Sequence, residues 1–287
     1  MVLTVLTRII SVLLLAVLAG CGTVQTGYNN APVLLNWWLD GYLDFDDAQS
    51  RAMRTRLDGL HAWHRRQELP AYADLLQGAQ QRASGSVSAE QVCGVLDQAR
   101  VHMRRLGVQS AQILADLAPT LQPAQLRHLA REFEKSNRSW RAEWLEGSAD
   151  ELLERRVDRA VKRYEDFYGR LTEAQRALLR QRLAESGYDA RLAWAERQRR
   201  QQDILQVLQE HRGGDRPAHT QAEMLALVQR SLEPPDPVMR SGYERLIREG
   251  CDTIAALHES ASPAQRRRVV ERLRDYEVIM RRLAAAG

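Results

Sequence analysis

Residues 151–168 read ELLERRVDRAVKRYEDFY, and the spacing of their apolar residues decides the fold class. These residues recur at steps of three and four, which places them on one face of a helix: Leu153, Val157, Ala160, Val161, Tyr164 and Tyr168. Charges of both signs occupy the opposite face, as on a helix with one side in solvent. Similar spacing recurs along the chain, and no stretch shows the sustained two-residue alternation of strands. The sequence therefore predicts an all-α protein.

Clusters of Gly, Pro, Ser and Asp divide this helical pattern into segments. They lie at residues 84–86, 119–123, 147–148, 213–217 and 234–237. We predict eight or nine helices in an irregular multi-helix array over residues 31–287, with a sub-boundary near residues 146–150.

A capping-box pattern recurs at the expected helix starts. A Ser, Thr or Asp that can cap the helix is followed three positions later by Gln or Glu, whose side chain reaches back to the cap N–H. We predict such starts at residues 46, 88, 122, 172, 220 and 262, with Gln rather than a hydroxyl residue at 122. Leu171-Thr172-x-x-Gln175 resembles the LTxxQ motif of Spy-like and CpxP-like periplasmic chaperones and stress sensors, and residues 87–91 and 261–265 are looser copies.

The N-terminus predicts a secretory signal peptide. A short apolar run, residues 9–19, follows the single positive charge of Arg8. Its length is about half of the ~20 residues that a membrane-spanning helix needs. We therefore expect residues 1–20 to be cleaved off.

The end of this segment, Leu18-Ala19-Gly20-Cys21, resembles the lipobox of bacterial lipoproteins. The resemblance implies cleavage after Gly20, a diacylglycerol on the Cys21 sulfur, an acyl group such as palmitate on the new N-terminus, and a lipidated linker over residues 21–30. By the sorting rule of such lipoproteins, Gly22 in place of Asp implies the outer membrane, with the protein facing the periplasm.

Charge argues against nucleic acid as a partner. The chain has 41 basic and 37 acidic residues, which alternate along the predicted helices instead of forming a patch of one sign. A periplasmic address argues against nucleic acid as well. We expect no such partner.

Motifs of enzymes and metal sites are absent from the sequence. It contains no GxSxG, GxxxxGK[ST] or GxGxxG motif. Asp44, Asp46 and Asp47 lack the other ligands of an EF-hand, and no zinc motif completes His61 and His64. We predict no enzyme, no metal site and no cofactor besides the lipid on Cys21.

Two cysteines remain once Cys21 is lipidated. Cys93 and Cys251 are 158 positions apart, and the periplasm is oxidising, which favours a disulfide between them. Two separate buried thiols are the alternative, because Cys93 has apolar neighbours.

Aromatic residues close to the lipidation site are the candidate contact residues. Trp37 and Trp38 point about 100° apart on a helix, so both cannot easily enter one core. Packing in the core is one interpretation of this pair, and contact with the membrane interface or a partner protein is the other; the candidate contact residues are Trp37, Trp38 and Tyr42.

Several short motifs near the N-terminus resemble the opening of an uncharacterised family of proteobacterial helical lipoproteins, a domain of unknown function. They are Tyr28-Asn29-Asn30, Trp37-Trp38-Leu39-Asp40-x-Tyr42, Asp44-x-Asp46-x-x-Gln49 and Ala62-Trp63-His64-Arg65. The resemblance implies an anchored helical protein and adds no chemistry.

Together these features predict a lipoprotein on the periplasmic face of the outer membrane. We expect a non-catalytic helical module that supports the envelope or binds an unknown envelope protein. The alternative is a periplasmic chaperone or stress-response module that binds unfolded clients on an apolar concavity rimmed by arginines.

Overall fold

The computed structural model describes residues 21–214 and 217–286. Within these residues the chain is all-α, as predicted, without a β-strand. Its twelve helices are α1 (Cys21–Asn29), α2 (Ala31–Leu43), α3 (Asp47–Gln67), α4 (Leu69–Ala83), α5 (Ala89–Leu117), α6 (Pro123–Trp144), α7 (Ala149–Tyr168), α8 (Glu173–Ala184), α9 (Ala190–His211), α10 (Pro217–Leu232), α11 (Pro237–Glu259) and α12 (Pro263–Ala285). A 3₁₀ turn, Ala118–Thr120, joins α5 to α6.

The prediction of eight or nine helices was wrong because helices end at places without a strong Gly or Pro signal. The chain leaves α2 through Asp44, a non-glycine residue with φ of 50°. At Glu68 it passes from α3 to α4 with φ of −98° and ψ of −41°, close to helical values. Turns of this kind divide the long segments between the Gly, Pro, Ser and Asp clusters into more helices than we predicted.

The predicted signal peptide, residues 1–20, lies outside the described residues together with Leu18, Ala19 and Gly20 of the lipobox. Cys21 is the first residue of α1, so the segment expected to be a linker is largely helical. No helix in the described part of the chain combines the length and apolarity needed to cross a membrane.

Five of the six predicted capping boxes are present, at Asp46, Ser88, Gln122, Thr172 and Ser262. The prediction at Thr220 was wrong, because α10 already begins at Pro217. The Thr220 hydroxyl lies 3.0 Å from His211 Nδ1 in the interior. A box that we did not predict joins Ser148 and Glu151 at the start of α7.

Two pairs of capping boxes are joined by reciprocal hydrogen bonds between glutamines. Gln125 Nε2 donates to Gln49 Oε1 over 2.7 Å, and Gln49 Nε2 donates to Gln125 Oε1 over 3.2 Å. Gln175 and Gln265 form the same pair, with both distances 3.0 Å. We call these the glutamine pairs; each fixes the start of one helix to the start of another.

The first core lies between α2, α3, the C-terminal half of α5, α6, α9 and α10. Its fully buried side chains include Leu121 and Met224. The crossing of α5 and α10 requires Gly107, since a Cβ atom there would lie 2.8 Å from Val228 Cγ1 and 3.2 Å from Leu232 Cδ1.

The second core contains the apolar face of residues 151–168. Val157, Val161 and Tyr168 of α7 are buried there against residues of α8, α11 and α12. Helices α4 and α12 pack antiparallel: Leu69 at the start of α4 meets Leu283 near the end of α12, whereas Ala83 belongs to the same cluster as Val269. The α4–α12 pair therefore connects the second core to a third cluster, beside α1.

Helix α1 is fixed to the rest of the protein by the motif residues of α3. The hydroxyl of Tyr28 lies 2.9 Å from His64 Nδ1, and Arg65 Nη2 donates to Asn29 Oδ1 over 2.7 Å. Arg65 Nη1 also donates to the carbonyl of Leu283 in α12 over 3.2 Å. The residues next to the predicted lipidation site are thus held against the last helix of the chain.

Candidate functional site

Helix α2 exposes a continuous apolar surface close to Cys21. No charged residue occurs from Cys21 to Leu39. Pro32 and Leu43 of α2 are buried, and the exposed side is formed by residues that share large apolar side chains. We call this surface the apolar α2 face: Val33, Leu34, Leu35, Trp37 and Trp38.

The predicted contact residues occupy two different positions in this helix. Trp37 and Trp38 are 53% and 52% exposed, so neither lies in a core. Tyr42 packs inward, with ring centroids 4.9 Å from Trp38 and 6.3 Å from Phe133. Tyr42 therefore joins the apolar α2 face to the first core.

A shallow depression beside Trp37 contains two arginines and one aspartate. It is lined by Trp37 and Asp40 of α2 and by Arg51 and Arg54 from the first turns of α3. Arg54 Nε lies 3.2 Å from the carboxylate of Asp58, whereas Arg51 forms no ion pair within the part of the chain described. The apolar α2 face thus borders on an arginine that is free to meet an anion.

A second candidate site is a cavity of ≈ 520 Å³ between α4, α5, α7, α11 and α12. Its walls are mainly apolar and come from four of these helices: Val92, Val95, Leu96, Phe167, Ile254 and Leu273. A volume of this size falls in the ~300–1,000 Å³ range of small-molecule sites. We call this space the α5–α11 cavity.

The buried polar groups of the cavity are bonded to one another or to the backbone. His258 Nε2 lies 3.0 Å from the carbonyl of Gly85, which can only accept, so this nitrogen carries the proton. The Tyr168 hydroxyl then donates to His258 Nδ1 over 3.0 Å. Burial lowers the pKa of His258, which keeps the ring neutral. The floor of the cavity therefore offers no free polar group.

The opening of the cavity is positively charged. Arg82 and Arg163 contribute to its lining, which contains no Asp or Glu side chain. Neither arginine forms an ion pair with any of the described residues. Burial raises the pKa of Tyr164, an effect that the Arg163 charge opposes, so the phenol stays protonated and can donate a hydrogen bond. Its hydroxyl has no partner among the described residues.

Cys93 and Cys251 lie beside this cavity. Their sulfur atoms are 2.02 Å apart and their Cα atoms 5.5 Å apart, which is disulfide geometry. The two cysteines predicted to pair therefore lie at disulfide distance. Val92 and Gly250, the neighbours of the two cysteines, line the cavity, so the disulfide joins α5 to α11 at its wall.

Two of the residues considered for metal binding, Asp46 and His64, have structural partners. The Asp46 side chain caps α3, and His64 contacts Tyr28. Glu68 is fully buried, with His102 Nδ1 at 2.6 Å and Arg105 Nε at 3.2 Å. No group of three His, Cys, Asp or Glu residues able to hold a metal occurs among the described residues.

The α5–α11 cavity was not predicted from the sequence. Its lining comes from five helices spread between Ala79 and Leu273, so no local motif contains it. Gly250, inside α11, was one available signal, because a helix-interior glycine often has a packing or functional reason.

Comparison with known proteins identifies a family for this chain but assigns no activity to it. The family model described as "Family of unknown function (DUF6279)" matches residues 41–233. The match includes the motif residues Gln49, His64 and Arg65, whereas Tyr28 and Trp37 precede it. No curated protein and no solved structure matches the chain.

Proposed function

The chain belongs to DUF6279, a family of unknown function, and we propose from its own residues that it is a non-catalytic, lipid-anchored module of the outer membrane. Cys21 carries the lipid, and the apolar α2 face lies in the head-group region on the periplasmic side. The other helices extend away from the membrane, where they support the envelope or bind an envelope protein.

The observation that carries this proposal is the exposure of Trp37 and Trp38, 16 and 17 residues after the start of α1 at Cys21. Two or more acyl chains give stable membrane attachment, and indole rings favour the boundary between water and lipid. Arg51, beside Trp37, is placed to meet a lipid phosphate. The lack of charge from Cys21 to Leu39 allows this surface to approach the lipid without burying an ion.

The lipid anchor is tested by replacing Cys21 with Ser in the full chain. We expect the protein to leave the membrane fraction and to lose palmitate labelling. An uncleaved precursor could stay bound, so labelling is the decisive readout. Labelling that persists in Cys21→Ser would contradict the anchor.

The contact through α2 is tested with residues 21–287 carrying Cys21→Ser, mixed with phosphatidylglycerol vesicles. Trp37→Ala/Trp38→Ala should weaken sedimentation with the vesicles at least tenfold, equivalent to about 1.4 kcal/mol. The matched control is Met103→Ala/Val108→Ala, which removes side chains of α5 that are 56% and 48% exposed. Equal binding by both double variants would argue against α2 as the contact surface.

A second candidate function is a chaperone or stress-response module that binds unfolded clients. The arginine-rimmed α5–α11 cavity favours it, as does the resemblance of residues 171–175 to the LTxxQ motif. The test is suppression of aggregation of a reduced client, with an inert protein of similar charge as the control. Suppression near stoichiometric ratios would support this function.

A further inference from the structure

We propose that the α5–α11 cavity binds a single-chain anionic amphiphile. The acyl chain lies among the apolar side chains of the cavity, and the carboxylate or phosphate head lies between Arg82 and Arg163. This binding goes beyond the proposed membrane anchoring and does not require it, because Cys21 and the apolar α2 face take no part in it.

The interior of the cavity fits an apolar chain better than a polar ligand. Its walls are the side chains of residues such as Val95, Phe167 and Ile254. His258 and Tyr168 already bond each other and the backbone. A ligand that carried hydrogen-bonding groups into this space would leave them without partners, which is costly in a buried site. An unfolded peptide would bring its backbone amides into the same position.

The rim selects for negative charge. Arg159 of α7 has an acidic partner, Glu143. Arg163, one turn further along α7, forms no ion pair in the described part of the chain, and neither does Arg82. A carboxylate or phosphate between them would accept charge-assisted hydrogen bonds, and the Tyr164 hydroxyl could add another.

The position of the cavity defines how the ligand arrives. The cavity includes Ala83 at the end of α4, whereas α1 packs near Leu69 at its start. The fifteen residues of α4 span roughly 20 Å. A ligand therefore enters from water as a single molecule, at the end of the α4–α12 pair that lies away from α1. This ligand is distinct from the lipid on Cys21.

The test is displacement of the fluorescent anion 1-anilinonaphthalene-8-sulfonate from residues 21–287 carrying Cys21→Ser, below the micelle concentration of each competitor. Laurate represents a free fatty acid, dodecyl phosphate represents a phospholipid-derived head group, and dodecyltrimethylammonium carries the same chain with a positive charge. We expect both anions to compete at least tenfold more strongly than the cation. The better of the two anions identifies the source of the ligand.

Two pairs of variants locate the binding. Arg82→Gln/Arg163→Gln should weaken laurate binding about tenfold, and the control Arg127→Gln/Arg131→Gln should not. A Cβ atom at Gly250 meets nothing within 4 Å, so Gly250→Phe can fill the cavity without a backbone clash. Gly94 in α5 is equally open but does not line the cavity, so Gly94→Phe is the matched control.

We expect Gly250→Phe to abolish laurate binding and Gly94→Phe to retain it. Thermal unfolding of each variant shows whether the fold is intact; if Gly250→Phe fails to fold, the arginine pair decides. Equal competition by laurate and the cation, or full binding by Gly250→Phe, would overturn the proposal. A reduced client that displaces the probe where laurate does not would overturn it in favour of peptide binding.

Discussion

The side-chain amides of Gln49 and Gln125 are hydrogen-bonded to each other, although the two residues lie 76 positions apart. Each Oε1 also accepts a hydrogen bond from the N–H of the cap residue of its own helix. Gln49 Nε2 also donates to the Thr120 carbonyl, and Gln125 Nε2 donates to the Asp44 carbonyl. A glutamate could perform the capping role but could not donate across the pair. The pairing therefore explains why these positions carry glutamine.

We predict that Gln125→Glu destabilises the protein by about 2–4 kcal/mol, because it buries a carboxylate against Gln49 Oε1 and the Asp44 carbonyl. The control is Gln91→Glu, in an exposed capping box with Ser88, where a change within about 0.5 kcal/mol is expected. Urea unfolding at pH 7.5 measures both. Equal losses of stability in the two variants would show that the hydrogen bonds between the glutamines add no stability beyond that of the capping box.

The two glycines of α5 should respond to alanine in opposite ways. Gly107→Ala should cost about 1–3 kcal/mol, since its Cβ would press on Val228 Cγ1 at the crossing with α10. Gly94→Ala should stabilise the protein by about 0.5–1 kcal/mol, because it meets no neighbour and reduces the entropy of the unfolded chain. Calorimetric melting points distinguish the two; a stabilising Gly107→Ala would mean that the helices separate easily.

The Cys93–Cys251 bond should contribute up to about 5 kcal/mol, because it closes a long loop in the unfolded chain. Reduction by dithiothreitol should lower the melting temperature of the wild type and change its mobility on a denaturing gel. Cys93→Ala/Cys251→Ala should melt low with or without reductant. Two alkylatable thiols in freshly lysed cells would contradict the bond.

Stability should fall as the solution becomes acidic, in part through His258. Burial lowers the pKa of this ring below its ordinary 6.5, so the unfolded chain takes up a proton first as the pH falls. The free energy of unfolding should therefore decrease from about pH 7.5 downward and level off below the pKa of the folded state. The pKa values of His61 and His64 are lowered as well, which acts in the same direction.

Substitution of His258 isolates its contribution to the pH dependence of stability from that of the other histidines. His258→Gln should lose about 1–3 kcal/mol at pH 7.5, through its bonds to Tyr168 and Gly85, and should show a shallower pH dependence. His219→Gln, at an exposed position, should keep the wild-type dependence. Urea unfolding at several pH values measures the free energy of unfolding of each variant. An unchanged pH dependence in His258→Gln would rule out a contribution of His258.

Local signals in the sequence predicted the fold class and the capping boxes of five of the twelve described helices, because a helix face and a capping box are each contained in a few neighbouring residues. Thr220 matched the pattern equally well, but the helix starts earlier and the hydroxyl is used by His211. The break at Glu68 has only a weak local signal, because Pro70 lies in the first turn of α4 while Glu68 itself has near-helical angles. The buried contacts of Glu68 with His102 and Arg105 give this break a tertiary cause as well.

The candidate sites divide in the same way. The sequence alone identified Trp37 and Trp38, since two adjacent indoles cannot easily share a core. The α5–α11 cavity could not be predicted, because Arg82 and Arg163 line one cavity only after α4 and α7 pack on α12. A surface on one helix can be read locally, whereas a cavity between five helices depends on their arrangement.

The antiparallel pairing of α4 with α12 also sets the order in which the protein can be completed during synthesis. Helix α4 emerges early, but Leu69 is buried by Leu283, and the Arg65 guanidinium that holds Asn29 donates to the carbonyl of the same residue. Until the last turn of α12 has been synthesised, Leu69 remains uncovered and Arg65 lacks one of its hydrogen-bond acceptors. A chain that stops before Pro263 therefore lacks both the Leu283 side chain that packs on Leu69 and the carbonyl that accepts from Arg65.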